Sequence, residues 1–337
     1  MLQSTCGQLR TSVLGFGCGS VLGRVGRRAS LRAMNAAWDA GITLFDTARS
    51  YGFGNAEAVL GEFLRGKRDQ AIVATKFGIA PQRQSAPMRI ALPALRGAMR
   101  LPGVHRLVHS GRGRQVALGQ FTVEGLRTSL ECSLRELRSD RVDLLFLHEA
   151  GSGAMRQQDL MAELEVLIQA GKVVRAGLYA GTEVVAECMA DGPPALTAMQ
   201  FGVNPFDPVA AAIPADNRRG ALLIGNHPFG GEKRLAQMKS ILAEMSCDET
   251  ASPELREKLH GDDWQIMLEA ILGVILNGTG VHSLVFSMIE PGHIRANARA
   301  IESNRFTGEE CALMRQRLLT ACDPGSALRR PGTSATP

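Results

Sequence analysis

The chain has 337 residues, 45% of them hydrophobic and 21% charged, with a formal net charge of +5. That balance excludes a disordered or fibrous polypeptide and leaves one large globular domain or two ordinary ones. The seven cysteines (Cys6, Cys18, Cys132, Cys188, Cys247, Cys311 and Cys322) are odd in number, widely spaced and without a C-x-x-C pair. This argues against a disulfide framework and a zinc site, and for free thiols in a reducing cytosol.

The first ten residues lack the basic start and apolar run of a secretory signal. Short apolar, β-rich runs then recur at 12–17, 42–45, 71–75, 142–147, 173–178, 196–200, 221–224 and 283–287. Most are unbroken, not alternating, as parallel strands buried on both faces are. Helical spacing fills the gaps. Ser30 is placed to cap a helix through Ala40, with Leu31, Met34, Ala37 and Trp38 on one face. Thr122 opens another, in which Leu126, Leu130, Leu134 and Leu137 recur; Leu160, Leu164, Leu167 and Ile168 mark a third that Gly171 ends. This alternation predicts an α/β chain folded as a (β/α)8 TIM barrel over residues 1–322, with a doubly wound open sheet as the alternative.

Two segments interrupt the rhythm, at 78–120 and 226–263. Both follow strands, and so read as long loops on the carboxyl-terminal face, where barrels of this kind carry their sites. The first holds Pro81, Pro87, Pro93 and Pro102 and an arginine cluster: Arg83, Arg89, Arg96, Arg100, Arg106, Arg112 and Arg114. A solvated basic loop is the plain reading and an anion-binding lid the next; scarce aromatics argue against nucleic acid. The most apolar later stretch, 266–276, contains Glu269 and falls short of the ~20 residues that span a bilayer, so no membrane association is expected. Residues 323–337 read as a disordered tail.

Four proton-carrying side chains stand at or just past strand ends: Asp46, Tyr51, Lys76 and His148. On neighbouring strands of a barrel they would converge on one mouth. There a lysine and an aspartate would pair, because either charge is costly to desolvate alone. The chemistry suggested is proton transfer to a carbonyl oxygen. A free tyrosine, with a pKa near ~10, is a poor acid at neutral pH, and a neighbouring ammonium would lower that value. Asp46 would hold Lys76 charged, and His148 would position the oxygen. Hydride would have to come from a cofactor, since no side chain supplies one. Each residue alone has a duller explanation: a turn former, a packing ring, a solvated lysine, a core histidine. Their order at successive strand ends carries the prediction.

The stretch Gly41-Ile-Thr-Leu-Phe-Asp46-Thr-Ala-Arg-Ser-Tyr51-Gly-Phe-Gly-Asn-Ala-Glu57, with Leu60-Gly61, closely resembles the first signature of the aldo-keto reductase superfamily. Ser129-Leu-Glu-Cys-Ser-Leu-Arg-Glu-Leu, running on to Asp143-Leu-Leu-Phe-Leu-His148, resembles the second. The likeness extends from about Leu9 to Ala300. It implies a (β/α)8 barrel that binds NADP(H) or NAD(H), with Asp46, Tyr51, Lys76 and His148 as the catalytic tetrad. It further implies cofactor contacts at Gly19, Ser20, Asp46, Tyr179, Gln200, Asn226, Phe229, Gly230, Ser287, His293 and Asn297. Gln200 matches the glutamine that holds the nicotinamide carboxamide. Tyr179-Ala180 stand where relatives carry Ser-Asn, and Asn226 where they carry an aromatic under the nicotinamide. Ser287 and His293 occupy positions where many relatives grip a 2′-phosphate with Lys and Arg, with Glu290 nearby and Arg295 available. NADP(H) is expected over NAD(H) on the resemblance.

Other nucleotide motifs are missing. Gly15-Phe-Gly17-Cys-Gly19-Ser20 lacks the last glycine of G-x-G-x-x-G, and neither a Walker loop nor H-E-x-x-H occurs. The expected activity is reversible reduction of an aldehyde, ketone or sugar carbonyl in the cytoplasm. Tyr51 would give the proton, and Phe53, Phe77 and Tyr179 would be the aromatics near the pocket. The alternative is a barrel that binds a nicotinamide cofactor or a partner protein without turnover.

Overall fold

The apolar runs form strands because β-branched and leucine side chains can bury on both faces only where each face meets another layer. In the computed structural model, which describes residues 1–23, 25–81, 121–208, 210, 213, 217–261, 263–303 and 305–321, that arrangement is a closed barrel. The arginine cluster and the tail 323–337 lie outside the described residues. The strands are β1 (Gln3–Cys6), β2 (Leu9–Ser12), β3 (Leu14–Gly17), β4 (Leu44–Asp46) and β5 (Ile72–Phe77), then β6 (Val142–His148), β7 (Val173–Tyr179), β8 (Leu196–Gly202), β9 (Leu222–Asn226) and β10 (Ser283–Phe286). Eight parallel strands, β3 to β10, pair in chain order and close through β10 against β3.

Helices follow the strands around the outside: α1 (Arg27–Asp39), α2 (Ala56–Phe63), α3 (Val123–Leu137), α4 (Ser152–Met155), α5 (Gln158–Gln169) and α6 (Thr182–Asp191). After β9 come α7 (Glu232–Cys247), α8 (Pro253–Leu259) and α9 (Trp264–Thr279), and after β10 come α10 (Pro291–Glu302) and α11 (Gly308–Thr320). The segment 226–263, expected as a long loop, is therefore built largely of α7 and α8. Thr122 caps α3 as expected, accepting from Gly125 N at 3.1 Å. The first helix starts earlier than expected. Gly26 is its N-cap, and Ser30 sits inside, its hydroxyl donating back to Gly26 O at 3.2 Å.

Alternation along the strands divides the apolar residues into two layers. Leu44, Ala74, Leu144, Phe146, Ala198, Ile224 and Val285 fill the barrel interior. Their neighbours Phe45, Val73, Leu145, Leu147, Met199, Leu223 and Phe286 face the helices. Gly177 makes room for the interior, since a Cβ there would stand 2.2 Å from Ala198 O and 2.7 Å from the Phe146 ring. The antiparallel hairpin β1–β2 was not foreseen, because its strands are short and polar. It contributes Cys6 and Leu9 to the interior layer and is tied to the amino-terminal ends of the barrel strands. Arg175 Nη2 donates to Cys6 O at 2.7 Å, and Cys6 Sγ lies 3.3 Å from Gly220 O.

Several strands run past the expected ends. β5 continues through Lys76 and Phe77, β6 to His148, β7 to Tyr179 and β9 to Asn226. These residues are thus held by strand pairing and not by loops. His148 pairs with Tyr179, Tyr179 with Gln200, and Gly202 with Asn226.

The outer layer has little slack where α2 meets α3. A Cβ on Gly61 would lie 2.3 Å from Glu136 O and 2.7 Å from the Leu137 carbonyl carbon. Gly61→Ala should therefore cost about 1–3 kcal/mol, read as a lower urea midpoint. An unchanged midpoint would show that the two helices separate without penalty.

Candidate active site

Because β5 alternates, Val73 and Thr75 turn outward and Lys76 turns into the barrel mouth. Its side chain is fully buried, so the ammonium must be bonded. It donates to Asp46 Oδ1 at 2.5 Å and to Thr47 O at 2.9 Å. Asp46 ends β4, the neighbouring strand, and is itself 4% exposed. Two phenols flank the lysine. Lys76 Nζ lies 5.2 Å from the ring centroid of Tyr51 and 5.7 Å from that of Tyr179. The His148 ring stands edge-on to Tyr51 at 6.0 Å and tilted against Tyr179 at 5.4 Å. The four residues expected to act together are therefore brought together, with Tyr179 as a fifth.

Tyr51 is not on a strand, and its placement depends on a tight local fold. Tyr51 N donates to Ala48 O at 3.0 Å, and Gly52 and Phe53 after it are both left-handed, at φ of 57° and 58°. For Phe53 that conformation is strained. A buried polar network braces the turn. Arg49 reaches Glu57 at 2.5 Å and Glu136 at 3.0 Å, and Thr75 Oγ1 donates to Glu57 Oε1 at 2.6 Å. Arg49 is two residues before Tyr51 and Thr75 one before Lys76, so Glu57 links the two segments that carry them. Sequence reasoning quoted Glu57 within a signature without reading this role. The signal was a glutamate on the first turn of a helix whose neighbours are apolar.

The inward residues at the remaining strand ends complete a polar rim: Tyr179 on β7, Gln200 on β8, Asn226 on β9 and Ser287 just past β10. Burial, with Tyr51 alongside, raises the Tyr179 phenol above its ordinary pKa. Lys76 pulls the other way, as does the nearby Asn226 amide. Gln200 and Asn226 are 1% and 8% exposed, yet among the described residues Gln200 Oε1 and Asn226 Oδ1 have no hydrogen-bond partner. Ser287 Oγ lies 2.7 Å from Ser20 Oγ, joining the turn after β3 to that after β10. Gly19 faces Tyr51, with space for a Cβ 4.0 Å from the ring. Behind the ion pair, burial and the Asp46 charge push the Cys18 thiol far up, so it stays protonated.

Other predicted positions lie further out. Phe229 packs between Trp264 at 6.0 Å and Phe286 at 5.8 Å. Gly230 adopts φ 61° beside Arg234 and Asn204. On α10, His293 is exposed and Asn297 buried. Phe77, expected to line the pocket, instead faces outward. It lies in the layer under the helices and meets Phe121 at right angles, 5.6 Å away. The alternation that turns Lys76 inward turns its neighbour out. Among the described residues no group of histidines, cysteines and carboxylates is arranged to hold a metal ion, and no helix is long and apolar enough to cross a membrane.

The sequence profile of the Aldo/keto reductase family matches residues 13–318. Among curated proteins, the chain is 34% identical over 148 residues to a D-threo-aldose 1-dehydrogenase from a Pseudomonas species, covering 42% of this chain and 41% of the relative. It is 31% identical over 146 residues to a pyridoxal 4-dehydrogenase from Microbacterium luteolum, again 42% of this chain and 41% of the relative. The matched part thus spans well under half the length of these relatives. Among solved structures, an aldo-keto reductase from Bacillus halodurans in its holo form superposes with a TM-score of 0.68 at 22% identity. That match covers 94% of this chain and 96% of the other, and at this identity it speaks for the fold.

The Lys76–Asp46 pair is buried enough to test by stability alone. Lys76→Met leaves a buried carboxylate without its counter-charge and should cost about 3–5 kcal/mol by urea denaturation. Adding Asp46→Leu to it should restore most of that loss, as removal of both charges usually does. A double variant no more stable than Lys76→Met would show that the pair is not the source of the cost.

Proposed function

This chain belongs to the aldo/keto reductase family, and we propose that it is an NAD(P)(H)-dependent oxidoreductase interconverting a carbonyl and its alcohol. The observation that carries this is the convergence of Tyr51, His148 and Tyr179 around one buried Lys76–Asp46 pair. Such a pair is costly to build and has no need of two phenols beside it unless charge develops on one of them. The unpartnered amide oxygens of Gln200 and Asn226 suit the amide N–H2 of a nicotinamide. Gly19, Ser20, Phe229, Gly230, Ser287, His293 and Asn297 lie on the turns and helix that would hold the rest of the dinucleotide. The bound nicotinamide would supply or accept hydride.

The chain's own residues manage the proton. Tyr51 Oη donates to the carbonyl oxygen as hydride adds to its carbon, and takes the proton back in the oxidative direction. The Lys76 ammonium stabilises the negative charge that Tyr51 then carries, and Asp46 fixes the ammonium's direction. His148, edge-on to Tyr51, sets where the substrate oxygen rests. Substrates with an aldehyde or a sugar hemiacetal are supported by the names of the two relatives, an aldose dehydrogenase and a pyridoxal dehydrogenase. Oxidation of a cyclic sugar would give a lactone with the same groups.

NADP(H) is favoured over NAD(H) on the family resemblance, with Arg295 near Ser287 and His293 as the available cation. Free thiols such as the exposed Cys247 suit a reducing cytosol.

Two measurements test these assignments. Titration of NADPH and NADH side by side should show binding of at least one, the tighter naming the cofactor. Absence of both at millimolar concentration would promote the alternative of a barrel that binds a partner without turnover. Tyr51→Phe should then lower kcat by ~10²–10⁴-fold with cofactor affinity unchanged. Undiminished turnover would remove Tyr51 from the proton-transfer role.

A further inference from the structure

Opposite the mouth, the barrel floor carries a cavity of about 490 Å³ that the proposed reaction does not use. It opens beside the first residues of β7 and β8. Glu165 and Ile168 of α5 stand on one side of it, and Arg219 and Gly220, just before β9, on the other. A volume of this size suits a small organic ligand.

Two arginines line the cavity with charge to spare. Arg219 is pinned by the main chain. Its Nη1 donates to Cys188 O at 2.8 Å and Gly192 O at 2.7 Å, and its Nη2 to Pro193 O at 2.8 Å. Arg175 is pinned by Cys6 of the floor hairpin, through the carbonyl oxygen at 2.7 Å and Sγ at 3.4 Å. These partners are neutral. Among the described residues neither guanidinium pairs with a carboxylate. A guanidinium carries five N–H donors, so both keep some for a ligand. Their planes are already fixed, which lowers the entropy that binding has to overcome.

Strand pairing turns a third polar group to the cavity. Ala176 pairs with Leu196 and Gly177 with Ala198, so Thr197 is an extra residue on β8. Bulges of this kind are rare between parallel strands and re-aim the side chain they carry. Thr197 is exposed on the cavity wall. The wall beside it is apolar, made by Ile168, Val174, Pro194 and Ala195, with Val174 43% exposed. Glu165 also lines the cavity and pairs with neither arginine. Two positive charges against one negative leave a single positive excess. A monocarboxylate neutralises that excess, and a phosphate dianion overshoots it.

We propose that this cavity is a second ligand site, one that takes an organic monocarboxylate. The carboxylate lies on the Arg175 and Arg219 guanidiniums, whose forked donors match its two oxygens. The Thr197 hydroxyl donates beside them, and the ligand's apolar body rests on Val174, Ile168 and Pro194. β7 and β8 run from this site to Tyr179 and Gln200 at the mouth. The two sites therefore occupy opposite ends of the same strands, and a ligand in one leaves the other open. The assignment stands on the floor geometry and is independent of the proposed oxidoreduction.

The test is calorimetric and needs no turnover. Benzoate is titrated into the protein, with benzyl alcohol as the same body without charge and inorganic phosphate as charge without the body. Wild type should bind benzoate, and should bind each of the other two at least about ten-fold more weakly. Val174→Glu adds a carboxylate to the wall at an exposed position and leaves every arginine contact intact. It should weaken benzoate by about ten-fold or more. Thr197→Glu should do the same from β8, and it carries the test if Val174→Glu lowers the urea midpoint. Tyr51→Phe, altered only at the mouth, should bind benzoate as wild type does. No benzoate binding at millimolar concentration overturns the site. So does binding that survives both glutamate variants undiminished, or binding that Tyr51→Phe abolishes, since the ligand then lies elsewhere. Phosphate bound as tightly as benzoate overturns the choice of an organic monocarboxylate.

Discussion

One buried ion pair organises this molecule's chemistry. Lys76 cannot sit at the mouth of an apolar barrel without a counter-charge, and Asp46 on the adjacent strand supplies it at 2.5 Å. Everything near the pair follows from that demand. The Thr47 carbonyl takes a second proton of the ammonium, the two phenols gather within 6 Å of it, and Cys18 behind it is kept protonated. A pair of this kind adds little net stability. In the proposed reaction it would fix a positive charge beside the phenolate that forms on Tyr51.

Precision at the mouth comes from strand pairing. The inward residues of the strand ends are locked by ladder register to their neighbours, His148 to Tyr179 and Tyr179 to Gln200. Tyr51 is the exception, carried on a turn with two left-handed residues. That turn is compensated by the Arg49–Glu57–Thr75 network, which ties it to β5 one residue before the lysine. The brace ties the strained turn to the strand that carries Lys76, with the Tyr51 ring 5.2 Å from its ammonium.

The rim departs from the family's usual pattern in a coherent way. Tyr179 places an aromatic on β7, and Asn226 places an amide on β9 where an aromatic is common. Both turn inward at their strand ends, on either side of Gln200 on β8.

The sequence by itself pointed to the barrel over an open sheet, because eight apolar runs, most of them unbroken, are separated by helical spacing. It also named the four residues around the ion pair, since charged groups closing such runs must meet at one end. It did not reveal the hairpin β1–β2, whose short polar strands carry no periodic signal until they close the barrel floor. It misplaced Phe77, because a run buried on both faces does not say which residue turns in. Nor could it show that Glu57 braces Tyr51, that Tyr179 joins the lysine, or that Gln200 and Asn226 turn inward with acceptors that no described residue engages. Those facts depend on register and side-chain direction across strands distant in sequence, which only closure of the barrel decides.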